Sequence, residues 1–172
     1  MGVSDRIEVS GGTDVDALID RALPEVYRYA VRLSGGDRPA AEDLTQDAFV
    51  ELARHLRSNP QAVLDVGWLI VVVRRRWVDR LRKRQREEER LAVLDRPVEH
   101  EPDWSIVEGG LALSCLGQLP EPQRAALIFR YVDDLSLDEV AELLGRSPSA
   151  TESLLARARR ALARLIEEAR HG

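Results

Sequence analysis

The chain has 172 residues, 44% apolar and 32% charged, with a formal net charge of −5, so one or two domains with true cores are possible. A single cysteine, Cys115, excludes an internal disulfide and any multi-cysteine zinc site, and its apolar neighbours mark it as a small core residue. The run VGWLIVVV is far too short to span a bilayer and no cleavable signal opens the chain, so a cytoplasmic protein without membrane insertion is expected. Helix formers dominate and strand-like alternation is scarce, which predicts an all-α fold.

Residues 1–13 are polar and glycine-bearing and are expected to be disordered. From Asp14, the positions Val15, Leu18, Ile19, Leu23, Val26, Tyr27, Ala30, Val31 and Leu33 recur at helical spacing, with Pro24 expected to divide the helix into a short and a longer piece. SGGD then breaks it. Asp37 caps a second helix with Pro39 in its first turn; Ala41, Leu44, Ala48, Leu52 and Leu56 form its inner face. Asp43, Gln46, Asp47 and Glu51 make an acidic patch outside, which is either a solvated face or a docking face.

RSNPQAVLD, residues 57–65, reads as a loop closed by Asp65 as an N-cap. The helix that follows, WLIVVVRRRWVDRLRKRQREEER, changes from apolar to basic, so its first half is expected to be buried on most sides and its second half not. Arg74 to Arg86 holds eight cations against Asp79, a local +7, and everything else sums to −12. Such segregation suggests DNA binding that is weak alone and completed by a larger partner. Trp77 stands among the arginines, where core packing outweighs stacking on an unpaired base.

Glu87 to Pro102 is acidic and loses periodicity, so residues 14–90 and 104–170 are expected as two domains with 91–103 as a flexible linker. From Trp104 a helix through Val107, Leu111, Leu113 and Leu116 leads to LPEPQR, where Pro120 and Pro122 end one helix and start another. Ala125, Leu127, Ile128 and Tyr131 carry it to a turn at Asp133 and Asp134.

Residues 136–164, SLDEVAELLGRSPSATESLLARARRALAR, close the pattern. Ser136 and Glu139 form a capping box, Gly145 ends a short helix, and Ser147 with Pro148 begins a longer one. Thr151, Leu154, Leu155, Ala158, Leu162 and Leu165 share one side; Ser149, Ser153, Ala156, Arg157, Arg160 and Arg164 share the other. This is the helix-turn-helix spacing, whose second helix enters the major groove, although on shape alone an ordinary helical hairpin with a solvated arginine face fits as well. An enzyme is disfavoured: His55, His100 and His171 are far apart, the cysteine has no base, and no phosphate loop occurs. No metal, cofactor or small-molecule substrate is expected.

The segments YRYAVRLSGG, AEDLTQDAFVELARHL, WLIVVVRRRWVDRLRKR and LGQLPEPQRAALIFRYVDDLSLDEVAELLGRSPSATESLLARARRAL, in this order, resemble group 4 (extracytoplasmic-function type) RNA polymerase sigma factors over residues 15–168. The resemblance implies a sigma-2 type domain and a sigma-4 type domain in a subunit that binds core RNA polymerase, directs it to promoter DNA, begins melting and is held by an anti-sigma factor. It implies that Asp43, Leu44, Gln46, Asp47 and Phe49 dock on the β′ clamp helices, that the second domain binds the β flap, and that the linker follows the RNA exit path. It places Asn59, Trp68, Arg74, Arg75, Trp77, Arg80, Arg82, Lys83 and Arg84 on the −10 element. It places Arg146, Ser147, Ser149, Glu152, Ser153, Arg157, Arg159 and Arg160 on the −35 element. Two departures bear on base preference: Arg75 stands where the family commonly has asparagine, and Glu152 where a cation is common. Glu152 either accepts from cytosine N4 or faces away from the bases. A stand-alone helix-turn-helix regulator, the alternative reading, accounts for residues 136–164 alone. The chain is expected to carry no further C-terminal sensory domain.

Overall fold

The structure, a computed structural model, describes residues 14–62, 64–91 and 110–171. Among these residues it forms seven helices: α1 (Asp14–Ser34), α2 (Arg38–Ser58), α3 (Val66–Leu91), α4 (Gly110–Gly117), α5 (Glu121–Tyr131), α6 (Leu137–Leu144) and α7 (Pro148–His171). The segment expected to be disordered, nearly all of the expected linker and the first turns expected after Trp104 lie outside the described residues.

Local chemistry sets most helix ends. Gly35 and Gly36, at φ 70 and 85, terminate α1. The Asp37 carboxylate accepts from the Ala40 backbone N–H at 3.1 Å to start α2, and the Asp65 carboxylate accepts from the Trp68 N–H at 2.9 Å to start α3. Pro120 precedes α5, whose first turn holds Pro122 where the missing N–H has no intrahelical partner to lose. α6 carries both halves of the capping box, with the Ser136 N–H donating to Glu139 at 2.7 Å and the Glu139 N–H to Ser136 Oγ at 3.2 Å. The Ser136 backbone N–H, with its hydroxyl, holds the Glu139 carboxyl below its usual range. Ser136→Ala is expected to cost about 1 kcal/mol, read as a lower urea midpoint with unchanged slope.

Pro24 does not divide α1, which runs unbroken from Asp14 to Ser34. An interior proline costs about 3 kcal/mol, but Leu18, Ala22, Val26 and Ala30 are all fully buried on either side of it, and that continuous stripe outweighs the one lost hydrogen bond.

α3 also departs from its reading. Its apolar half is not wrapped on most sides, since Val71 is 47% exposed, and its basic half is not wholly outside, since Trp77, Val78 and Leu81 are buried. α1 and α2 cover one face of α3 only. Leu69, Val72, Val73, Trp77 and Leu81 form that single stripe at three- and four-residue spacing, and the arginines occupy the remainder.

α1, α2 and α3 pack on one another, as do α5, α6 and α7 with α4, but the two sets also touch through α1 with α4 and α5, and α3 with α6. One buried cluster runs from Leu18 through Trp77 to Ala158.

Candidate nucleic-acid interface

Gly145 adopts the left-handed conformation, φ 64, that closes α6, and the Arg146 N–H donates to the Ala141 carbonyl at 2.9 Å. Ser147 Oγ accepts from the Ala150 N–H at 3.2 Å, so α7 starts with only three residues between it and the end of α6. Thr151, Leu154, Leu155 and Ala158 are buried against α5 and α6. The opposite face is left outside: Arg146, Ser147, Ser149, Glu152, Ser153, Arg157, Arg159 and Arg160 are all exposed. Arg159 lies on the flank, donating to the Tyr131 hydroxyl at 2.9 Å. Small side chains in the first turn and cations further along suit base edges and phosphates respectively.

The residues implied for the −10 element do not form one free surface. Asn59 and Arg75 are exposed, and Trp68 is half-buried with its ring 5.3 Å from that of His55. Lys83 is exposed and loosely paired with Glu87 at 3.9 Å. Arg80 donates to Asp47 at 2.9 Å. Three others are engaged by the C-terminal helices: Arg74 by Asp133 at 3.1 Å, Arg84 by Glu121 at 2.7 Å, and Arg82 by the Glu142 and Leu143 carbonyls at 2.9 and 2.8 Å. Trp77 is only 2% exposed, with the Arg84 guanidinium 5.3 Å from its ring centre. It is a core residue with a cation over its face, out of reach of a stacked base.

On α2, Asp43 and Gln46 are exposed, Asp47 is half-exposed, and Phe49 packs partly against the core. Leu44 is fully buried, so this face lacks it. Its place one turn from Ala41 and Ala48 sends it inward with them.

Four residues with no role in the sequence reading join the two sets of helices. Tyr29 donates its hydroxyl to Asp133 at 2.7 Å. Burial pushes the Tyr29 phenol upward, and burial likewise raises the Asp133 carboxyl against the opposing pull of Tyr29 and Arg74. Glu121 takes Arg84. Arg124 is 4% exposed and donates to the carbonyls of Leu33, Gly117 and Leu119 at 2.9, 3.0 and 3.1 Å. Burial lowers its guanidinium to about 10. The signal for these residues is faint: a charge within an apolar-periodic helix for Arg124, an acid in a turn for Asp133.

A shallow groove of about 430 Å³, almost wholly apolar, runs between α4, α5 and α7, lined by Leu113, Leu116, Tyr131, Val132, Leu162 and Ile166 among others. Tyr131 and Val132 are 56% and 54% exposed. Among the described residues there is no cluster of side chains able to hold a metal ion, and no helix is long and apolar enough to cross a membrane.

A helix-turn-helix with an exposed cationic face, joined to a second helical unit with its own arginine-rich helix, is an arrangement suited to transcription proteins that act on DNA. Residues 18–87 match the family described as Sigma-70 region 2, and residues 110–162 that described as Sigma-70, region 4. The chain is 32% identical over 151 residues to the ECF RNA polymerase sigma factor SigK of Mycobacterium sp. (strain KMS), covering 81% of this chain and 78% of that one. It is 31% identical to SigM of Mycobacterium tuberculosis (strain ATCC 25618 / H37Rv), covering 88% and 76%. In structure it is similar to the sigma factor RpoE of Bartonella quintana, crystallised with the anti-sigma factor NepR, with a TM-score of 0.56, 25% identity, and 91% and 98% of the two chains covered. The chain belongs to the sigma-70 family, in its extracytoplasmic-function group.

Proposed function

We propose that this chain is the specificity subunit that directs core RNA polymerase to a two-part promoter, with α7 reading the −35 element and Asn59 and α3 engaging the −10 element. The observation that carries this is the pairing, in one chain, of the exposed α7 face with the basic half of α3. Neither does chemistry of its own; the subunit binds, orients and leaves. The acids of α2, exposed Asp43 and half-exposed Asp47, suit a basic surface such as the β′ clamp helices, where charge complementarity sets encounter and register. The apolar groove between α4, α5 and α7 suits an apolar helix presented by the β flap. Control by an anti-sigma factor is supported by the likeness to RpoE, which was crystallised with one.

The test is transcription in vitro with bacterial core polymerase, the purified chain and genomic fragments. Discrete start sites that need both proteins support the reading. Failure of the chain to associate with core polymerase overturns it.

Within that assay two substitutions separate positioning from readout. Arg157→Ala with Arg160→Ala is expected to weaken promoter binding by the polymerase complex alike for every −35 sequence and to reduce the salt slope by about 2. Glu152→Gln is expected to change preference at one −35 base pair instead, because a carboxylate in the first turns can accept from cytosine N4. Unchanged preference across a promoter-variant series would show Glu152 facing away.

A further inference from the structure

Tyr131 ends α5 with its side chain outside. Its place in the periodic run Ala125, Leu127, Ile128, Tyr131 marks it as an apolar position, yet it is 56% exposed, too wet for a residue whose purpose is burial. Two cations from different elements meet it instead. Arg159 Nη1, on α7, donates to the Tyr131 hydroxyl at 2.9 Å, and the Arg130 guanidinium lies 5.9 Å from the centre of the ring. Arg130 is itself held, donating from Nη1 to the Leu135 carbonyl at 3.0 Å and standing 4.0 Å from the Asp134 carboxylate. Support therefore runs from the turn after α5, through Arg130, to the phenol and on to Arg159.

Arg159 sits between buried Ala158 and exposed Arg160, on the edge where the two faces of α7 meet. Other cations of this helix are braced only by α7 itself: Arg160 donates to the Ala156 carbonyl at 3.3 Å, and Arg164 pairs with Glu168 at 3.6 Å. Arg159 is braced by a second helix. That difference matters because a free arginine gives up much rotamer freedom when it grips a phosphate, and a bond to a fixed acceptor removes part of that loss in advance. The guanidinium has five N–H donors, so after the Tyr131 hydroxyl has taken one, enough remain for a bidentate hold on a phosphate.

We propose that Tyr131 is a positioning residue for the −35 contact, its hydroxyl holding the Arg159 guanidinium at the edge of α7 in readiness for a DNA phosphate. The inference rests on the promoter reading above for placing α7 on DNA. Tyr131 acts through Arg159 and needs no contact of its own with the duplex.

The test is a double-mutant cycle on the full chain without polymerase, with a fluorescein-labelled DNA duplex at low salt as probe. Tyr131→Phe keeps the ring, and with it the wall of the apolar groove, and removes only the hydroxyl. It is expected to weaken duplex binding about two- to fivefold, the effect of one hydrogen bond, with urea midpoint and helical content unchanged. Arg159→Ala is expected to weaken binding further and to reduce the salt slope by about 1. The double variant is expected to bind as Arg159→Ala does, because the hydroxyl has nothing left to hold. A Tyr131→Phe loss of the same size in both backgrounds would show a merely structural role and overturn the proposal. So would tighter binding by Tyr131→Phe, which would mean that the hydroxyl withholds Arg159 from DNA, or an Arg159→Ala chain that binds as the wild type does. Transcription with core polymerase reports separately: if it fails while the cycle behaves as stated, the promoter assignment is at fault and the positioning of Arg159 by Tyr131 stands.

Discussion

Trp77→Ala is expected to lower stability by about 3–5 kcal/mol, the range for deleting a buried indole. The residue is 2% exposed and belongs to the stripe on which α1 and α2 pack. The loss should appear as a lower urea midpoint for the whole chain, because the buried cluster is continuous across both sets of helices. Trp77→Phe is the informative contrast. The indole Nε1 makes no hydrogen bond among the described residues, so phenylalanine forfeits only some packing, about 1–2 kcal/mol. If Trp77 acted by stacking on an extruded base, alanine would instead spare stability and remove −10 melting; denaturation of the two variants distinguishes these outcomes.

Arg124→Ala should cost about 3 kcal/mol and lower the melting temperature by roughly 6–12 °C, since a chain of this size loses about 2–4 °C per kcal/mol. The guanidinium serves three carbonyls that have turned inward, those of Leu33, Gly117 and Leu119, and its removal leaves them without that donor. Arg124→Lys should rescue little, because an ammonium cannot present the planar fork that reaches both the α1 end and the α4–α5 turn. The geometry also explains Gly35: its φ is 70 and the guanidinium lies where a Cβ would stand. Calorimetry of the two Arg124 variants checks the expectation, and a lysine variant as stable as the wild type would show that charge alone suffices.

Much of the fold is legible because it is local. Asp37, Asp65, Ser136 and Ser147 each cap a helix by bonding a backbone N–H three residues on, and such spacing can be read from the chain directly. The two faces of α7 follow from periodicity for the same reason. Features set by packing between helices escaped. Pro24 looked like a break because its cost is local, whereas the burial that offsets it comes from other helices. Leu44 was placed both in the core and on a docking face, and only packing shows that the first excludes the second. Asp133 read only as a turn residue and Arg124 drew no reading of its own, since their partners Tyr29 and Leu33 lie 104 and 91 residues away. No spacing rule connects positions so far apart; the meeting of two helix sets does.

The ion pair between Arg80 and Asp47 carries a consequence of its own. One member sits on the basic helix proposed for DNA and the other on the acidic face proposed for polymerase, 2.9 Å apart. A basic surface that takes Asp47 leaves Arg80 uncompensated and so a better partner for phosphate, while DNA that takes Arg80 leaves Asp47 more attractive to that surface. By thermodynamic reciprocity the two effects are equal in size. Between the two proposed surfaces, this coupling would pass through a single shared charge pair.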